Sequence, residues 1–299
     1  MVSLVARLVP GTKYILYYYN PSEAAAIVCI ALFGISTMLH IFQLLRKRTW
    51  YFIPFIIGGL FETIGYVGRA ISATQSPNWS TGPYICQSLL LLLAPALFAA
   101  SIYMVLGRII VLTDGEAHSP IRAKWLTKVF VTGDVISFLA QSAGGGMLAR
   151  TSSSSGVKLG QNIITGGLGI QALFFGLFIV VAGIFNYRLR AVPSLRSQQL
   201  SVPWQSYLHV LYGASFLILV RSIFRIAEYV MGQHGYLLDH EIFLYIFDAL
   251  LMFSAMVLFN VYHPSRIINK QALKNQGRDL EENDSGYTMA DQVRVTPKY

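Results

Sequence analysis

The chain reads as an all-α integral membrane protein: a bundle of seven transmembrane helices, amino terminus outside and carboxyl terminus cytosolic. Composition is the first reason. Of 299 residues, 54% are hydrophobic and only 12% charged, about half the charge of an ordinary soluble domain, and the mean hydropathy is +0.52. A soluble fold of this length cannot bury so much apolar side chain in one core. The second reason is the spacing of the apolar runs, each near the ~20 residues that cross a hydrocarbon core. The third is the placement of the basic residues between those runs.

Seven stretches meet the length requirement, at about residues 24–45, 51–73, 84–112, 126–149, 161–186, 207–231 and 241–262. The fourth and fifth are diluted by Gly144-Gly145-Gly146 and Gly166-Gly167, but glycine is common in membrane helices. With the amino terminus outside, sixteen of the 23 Lys and Arg residues fall on the inner side, among them Arg46, Lys47, Arg48, Arg188 and Arg190. Four, Arg7, Lys13, Arg150 and Lys158, fall outside, and three lie within spans. That bias sets the orientation.

Residues 1–23 form a short extracellular segment without a basic start followed by an apolar stretch, so the first span is expected to serve as its own signal and anchor. Residues 24–262 form the membrane domain. Residues 263–299 are a cytosolic tail, mixed in charge and poor in apolar pattern, expected to be disordered. Asn78-Trp79-Ser80 is a glycosylation triplet in an outer loop. Cys29 and Cys86 sit in or beside apolar runs and are expected to be buried thiols.

Within the spans lie charges that lipid does not tolerate. Glu62 and Arg69 are in the second, Asp134 in the fourth, Arg221, Arg225 and Glu228 in the sixth and Asp248 in the seventh. An ionised group at the bilayer centre costs about 2.5–3.5 kcal/mol on insertion scales, so these groups must face inward and find partners. Helical spacing agrees. Gly58, Glu62, Gly65 and Arg69 form one stripe, as do Arg221, Arg225, Glu228 and Gly232. Asp134, Ser137, Gln141 and Gly145 form a third; Gln87, Ala94 and Ser101, and Asn162, Gly166 and Gly169, are weaker ones. Together they are expected to line a central cavity whose substrate-binding residues are Glu62, Arg69, Asp134, Gln141, Arg221, Arg225, Glu228 and Asp248. The expected ion pairs are Arg221–Asp248, with either Arg225–Glu228 or Arg69–Glu228.

Other chemistries lack their residues. There is no G-x-x-x-x-G-K-[ST] run for an ATP-driven pump, no Lys in the seventh span for a retinal Schiff base, and no H-x-x-x-H pair or His box. His234 with His240-Glu241 is a weak metal pattern. His40, His209 and His263 are expected at helix ends. No enzyme, cofactor or metal is implied. The basic residues form no continuous patch, so no nucleic-acid partner is expected. A seven-helix receptor shares the count, but Leu106-Gly107 precede Arg108 where an acid is usual, and the last span ends Asn260-Val261-Tyr262-His263-Pro264.

At these residues the chain resembles the fungal lipid-translocating exporter family, which includes aminocholesterol-resistance, sphingoid long-chain-base-resistance and protoporphyrin-uptake proteins. The resemblance runs from about Tyr17 to Pro264. It rests on Glu62-x-x-Gly65-Tyr66-x-x-Arg69, Ala94-Pro95-x-Leu97-x-Ala99-Ala100, Asp134-Val135-x-Ser137-Phe138-x-x-Gln141 and Gly167-Leu168-x-x-Gln171. It continues in Arg221-x-x-Phe224-Arg225-x-x-Glu228-Tyr229 and His240-Glu241-x-x-x-Tyr245-x-Phe247-Asp248. The resemblance implies a plasma-membrane or internal-membrane protein that moves an amphipathic lipid-like molecule, such as a sphingoid base or sterol analogue, or confers tolerance to it. Its partners would be that molecule and membrane lipids; a homo-oligomer is permitted but not required. The alternatives are a lipid-responsive receptor or regulator, and export or self-protection in a secondary-metabolite pathway.

Overall fold

The computed structural model describes residues 17, 19–76, 79–151, 153–200, 204–231, 237 and 240–266. Asn78, Gly232, His234 and the tail beyond residue 266 lie outside them, and so do the expectations made for those positions. The described elements are helical throughout: α1 (Glu23–Lys47), α2 (Ile53–Thr74), α3 (Thr81–Leu112), α4 (Ala123–Arg150) and α5 (Ser154–Ala191) are followed by the short α6 (Leu195–Gln199), then α7 (Trp204–Met231) and α8 (Glu241–Val261).

Among the described residues, six helices are long and apolar enough to cross a membrane: α1, α2 with the turn before it, α3, α5, α7 and α8. The remaining long helix, α4, coincides with the fourth expected span but does not join that set. Its 28 residues include Lys124, Lys128, Asp134 and the glycine triplet, which lower its hydropathy. The fifth span, also diluted by glycine, passes. At 38 residues, α5 is about 57 Å long and exceeds a ~30 Å hydrocarbon core; the helix starts before and continues beyond the expected 161–186.

The distribution of side chains is that of a protein whose solvent is lipid. Ile35, Met38, Phe42, Leu139, Leu173 and Val180 point outward and are at least half exposed, while Glu62, Arg69, Arg221 and Asp248 are at most 1% exposed. In water that arrangement would leave an apolar exterior and a charged interior, the reverse of what burial favours. The chain is therefore a multi-pass membrane protein.

Close helix contacts use small residues, as expected where no hydrophobic force acts between helices in lipid. Along α4 and α5, Gly144 faces Gly160 and Ile164, Ser137 faces Gly167, and Gly133 faces Phe174, a descending register that makes the pair antiparallel. A Cβ at Gly144 would lie 2.7 Å from the Gly160 carbonyl oxygen. The α2–α3 pair is built alike, with Gly65 against Leu91.

Three expectations are corrected. Cys29 is buried, but Cys86 is exposed near the start of α3. The Asn162–Gly166–Gly169 stripe does not face inward: Asn162 and Gly166 are exposed. The face of α5 turned to α4 carries Gly160, Ile164, Gly167 and Gln171, because that is where the backbones approach. His40 is not at a helix end. It is fully buried within α1, its Nε2 3.1 Å from the Met256 carbonyl oxygen and its ring packed on Phe52 and Phe55.

The α4–α5 contact gives a direct test. Gly144→Leu must push backbone aside, an overpacking cost of about 1–3 kcal/mol, whereas Gly166→Ala enters open space. Thermal unfolding in detergent should show the first destabilised by several degrees and the second unchanged or slightly raised; equal melting temperatures would contradict this packing.

Candidate functional site

The densest polar structure is built on Asp248. This residue lies in a π-helical turn of α8, residues Tyr245–Leu250, a distortion often found at functional positions. Arg221 Nε donates to Asp248 Oδ1 at 2.6 Å, and Arg225 Nη2 donates to Oδ2. Arg225 Nη1 donates to Glu228 Oε2 at 2.8 Å, one turn further along α7. One carboxylate thus answers two guanidinium groups, and the second acid completes the balance of two charges against two.

The other end of Arg221 reads a defect in α3. Pro95 has no N–H, so within its helix the Leu91 carbonyl lacks its usual donor. Arg221 Nη2 donates to that carbonyl at 2.7 Å. An arginine reaching from α7 therefore satisfies a backbone group that lipid would leave bare, which joins the Pro95 motif and the Arg221 motif in one contact.

Glu62 belongs beside this cluster. It is 1% exposed, within electrostatic reach of Asp248, Arg221 and Arg225, and its Oε1 makes no hydrogen bond among the described residues. It forms no ion pair there. A buried carboxyl with an unpartnered oxygen is costly for packing alone.

Arg69 stands in a second, outer cluster. It pairs with Glu241, Nη2 to Oε1 at 2.7 Å, and donates to the hydroxyls of Tyr19 at 2.9 Å and Tyr245 at 3.0 Å. Glu241 also accepts from the Ser22 backbone N–H, so this cluster ties the segment before α1 to α2 and α8. Tyr17 reinforces the tie: its hydroxyl donates to Gln87 Oε1 at 2.8 Å, and its ring packs on Trp79 and Tyr84. Burial pushes the phenols of Tyr17 and Tyr19 up, so both keep their protons at neutral pH.

Gln141 and Asp134 are elsewhere on α4. Ser137 Oγ donates to the Gly167 carbonyl at 2.6 Å; Gln141 Nε2 donates to Ser137 Oγ at 2.7 Å and to Gln171 Oε1 at 3.1 Å. Asp134, buried beside Tyr103, makes no ion pair among the described residues.

The eight residues singled out by the sequence thus occupy distinct places. Arg221, Arg225, Glu228 and Asp248 form one network with Glu62 adjacent, Arg69 belongs to another, and Gln141 and Asp134 lie apart. Of the expected pairs, Arg221–Asp248 and Arg225–Glu228 are present, while Arg69 takes Glu241 in place of Glu228. A cleft of about 690 Å³, open mouth included, lies between α3, α4, α5 and α7; of the eight, Gln141 lines it. The charged residues meet through direct contacts rather than across this space. Glu241, Tyr245, Tyr19 and Gln171 were not among the expected site residues. The signal for the first two was present, since Glu241, Tyr245 and Asp248 are spaced i, i+4, i+7 and share a face. Glu241 had figured only in a metal pattern, and among the described residues no group of three metal-ligating side chains is found.

A multi-pass helical membrane protein with inward charges is the class that fold and site define. Residues 55–271 match the family described as RTA1 like protein. The chain is 38% identical over 283 residues to protoporphyrin uptake protein 1 of Saccharomyces cerevisiae, covering 83% of this chain and 91% of that protein. It is 31% identical over 274 residues to the Emericella nidulans protein named "Probable lipid transporter atnI", covering 87% and 70%. It is 26% identical over 279 residues to sphingoid long-chain base transporter RSB1 of Saccharomyces cerevisiae, covering 82% and 72%. No solved structure matches. The chain belongs to the RTA1-like family of fungal membrane proteins, in agreement with the resemblance carried by its motifs.

The network on Asp248 makes an unequal prediction for its two acids. Asp248→Asn leaves two buried guanidinium groups facing one acid, with a cost in the range of about 3–5 kcal/mol for breaking a buried pair. Glu228→Gln removes one contact and leaves Arg225 on Asp248. Melting temperatures in detergent should fall much further for Asp248→Asn; an equal or reversed order would show that Asp248 is not the hub.

Proposed function

We propose that this protein is a membrane transporter for an amphipathic lipid-like molecule, of the sphingoid-base or sterol-analogue kind, and that it confers tolerance to that molecule. The relatives named for transport of lipid and of sphingoid long-chain base, aligned over most of their length, are the observation that carries the reading. The structure supports it with a cleft between helices and with buried ionisable groups of the sort that mark substrate and proton pathways in membranes.

In this reading all seven long helices span the bilayer, α4 included, since it packs antiparallel along α5. The amino terminus is outside and the tail cytosolic, as the sixteen-to-four bias of Lys and Arg requires. The membrane is the plasma membrane. The amphipath enters laterally, its tail remaining among apolar side chains. Glu62 carries the proton that couples movement, its unpartnered oxygen lying within electrostatic reach of Asp248, Arg221 and Arg225. Arg221, Arg225, Glu228 and Asp248 support that element, while Arg69 and Asp134 stand apart from it; Gln141 faces the substrate.

Glu62→Gln tests the proposal in a yeast host lacking RSB1. The parent chain should restore growth on toxic dihydrosphingosine, and Glu62→Gln should reduce tolerance to that of empty cells. A carboxyl-terminal epitope should show equal surface amounts of both forms and stain only after permeabilisation. Full protection by Glu62→Gln would remove Glu62 from the mechanism; staining of intact cells would overturn the orientation.

A further inference from the structure

The cleft has a chemistry that the charged clusters do not share. Leu89 and Leu92 of α3, Leu148 of α4 and Ile164 of α5 supply apolar walls, and no Lys, Arg, Asp or Glu lines it. Its polar lining is Gln141 and Ser142 together with the hydroxyl-bearing Thr81, Tyr84, Ser88 and Tyr229. Gln141 is 3% exposed, and its Oε1 makes no hydrogen bond among the described residues; the same is true of Ser142 Oγ.

The orientation of the Gln141 amide follows from its neighbours. The Gly167 carbonyl can only accept, so the Ser137 hydroxyl spends its proton there. Ser137 Oγ must then accept from Gln141, which places the amide nitrogen, not the oxygen, against Ser137. The second N–H of that nitrogen goes to Gln171 Oε1. Both donors of Gln141 are therefore used inside the α4–α5 interface, and its acceptor is the atom left over at the cleft. A buried acceptor without a partner is rare in a folded protein and calls for one.

We infer that this cleft is the ligand site and that it selects amphipaths whose head carries a neutral hydroxyl. The inference rests on the lipid-transport reading above and gives that substrate a place and a head-group chemistry. A hydroxyl matches the pair of atoms on offer: its proton goes to Gln141 Oε1, and its oxygen accepts from Ser142 Oγ. An ether or ester oxygen can accept from a hydroxyl such as that of Ser142 but leaves the glutamine acceptor bare. Space for the chain is present too. Gly145 and Gly146 line the cleft, and a Cβ built on either meets nothing within 4 Å. Ile85 and Gly146 are exposed at the rim, so the cleft opens sideways, where a lipid would enter.

The test is equilibrium binding to the purified full-length protein in detergent, with tritiated dihydrosphingosine as the probe and two competitors, 1-octadecanol and octadecyl methyl ether. The parent should bind the probe saturably, with the alcohol competing about fivefold or more better than the ether, the ratio expected for one hydrogen bond. Gly145→Leu fills open space, so it should keep the parent's melting temperature and lose binding. Gln141→Met should erase the alcohol–ether difference, whereas Ser142→Ala, which removes no hydrogen bond among the described residues, should weaken both competitors and keep the difference. Saturable binding that Gly145→Leu leaves intact, or equal competition by alcohol and ether in the parent, would overturn the site and leave the lipid-transport reading standing. No saturable binding of the probe at all would sink both.

Discussion

The need to neutralise charge inside an apolar bundle governs this structure. Asp248 meets it by receiving Arg221 and Arg225 at once, with Glu228 taking the remaining donor of Arg225. Other features can be traced to that constraint. The π-helical turn around Asp248 sets its side chain in α8. Arg221 spans from Asp248 on α8 to the Leu91 carbonyl that Pro95 leaves bare on α3, so one guanidinium pins three helices. Small residues on α2 and α4 then let the remaining helices close round the network. Replacing such a network by apolar residues often stabilises a protein, which argues that retaining so many ionisable groups serves more than cohesion.

The polar interior divides into layers of different character. The outer cluster around Arg69 and Glu241 fastens the segment before α1 to the bundle. The middle network on Asp248 is closed on itself, with Glu62 alongside. The α4–α5 interface is uncharged and runs on amide and hydroxyl contacts, ending at the cleft. The uncharged contacts and the charged network thus occupy different parts of the bundle. Such a separation would allow related proteins to change substrate at the α3–α4 cleft without disturbing the charged network.

Much of this was legible in the sequence. Length and hydropathy placed the six helices apolar enough to cross a membrane, because a span must be about 20 residues and apolar, and the fourth expected stretch coincides with α4. The i, i+4, i+7 spacing put Glu62, Arg69, Arg221, Arg225 and Glu228 on inward faces; the Arg221–Asp248 pair was expected, and Arg225–Glu228 was one of two partners left open for Glu228. What spacing could not decide was which partner a long arginine would choose. Arg69 reaches Glu241 and Tyr19, a choice fixed by how the segment before α1 folds over the bundle. Nor could it find the inward face of α5, since Asn162–Gly166–Gly169 and Gly160–Gly167–Gln171 are equally periodic and only backbone approach separates them. The hydropathy of α4 was lowered by exposed lysines, by Asp134 and by glycines, of which Gly133 and Gly144 build its interface with α5.

The most direct measurement is flux of tritiated dihydrosphingosine across phosphatidylcholine vesicles that hold the purified protein, with and without an imposed proton gradient. The account predicts translocation well above that of protein-free vesicles, accelerated when the gradient is applied. Movement no faster than in empty vesicles under either condition would contradict it.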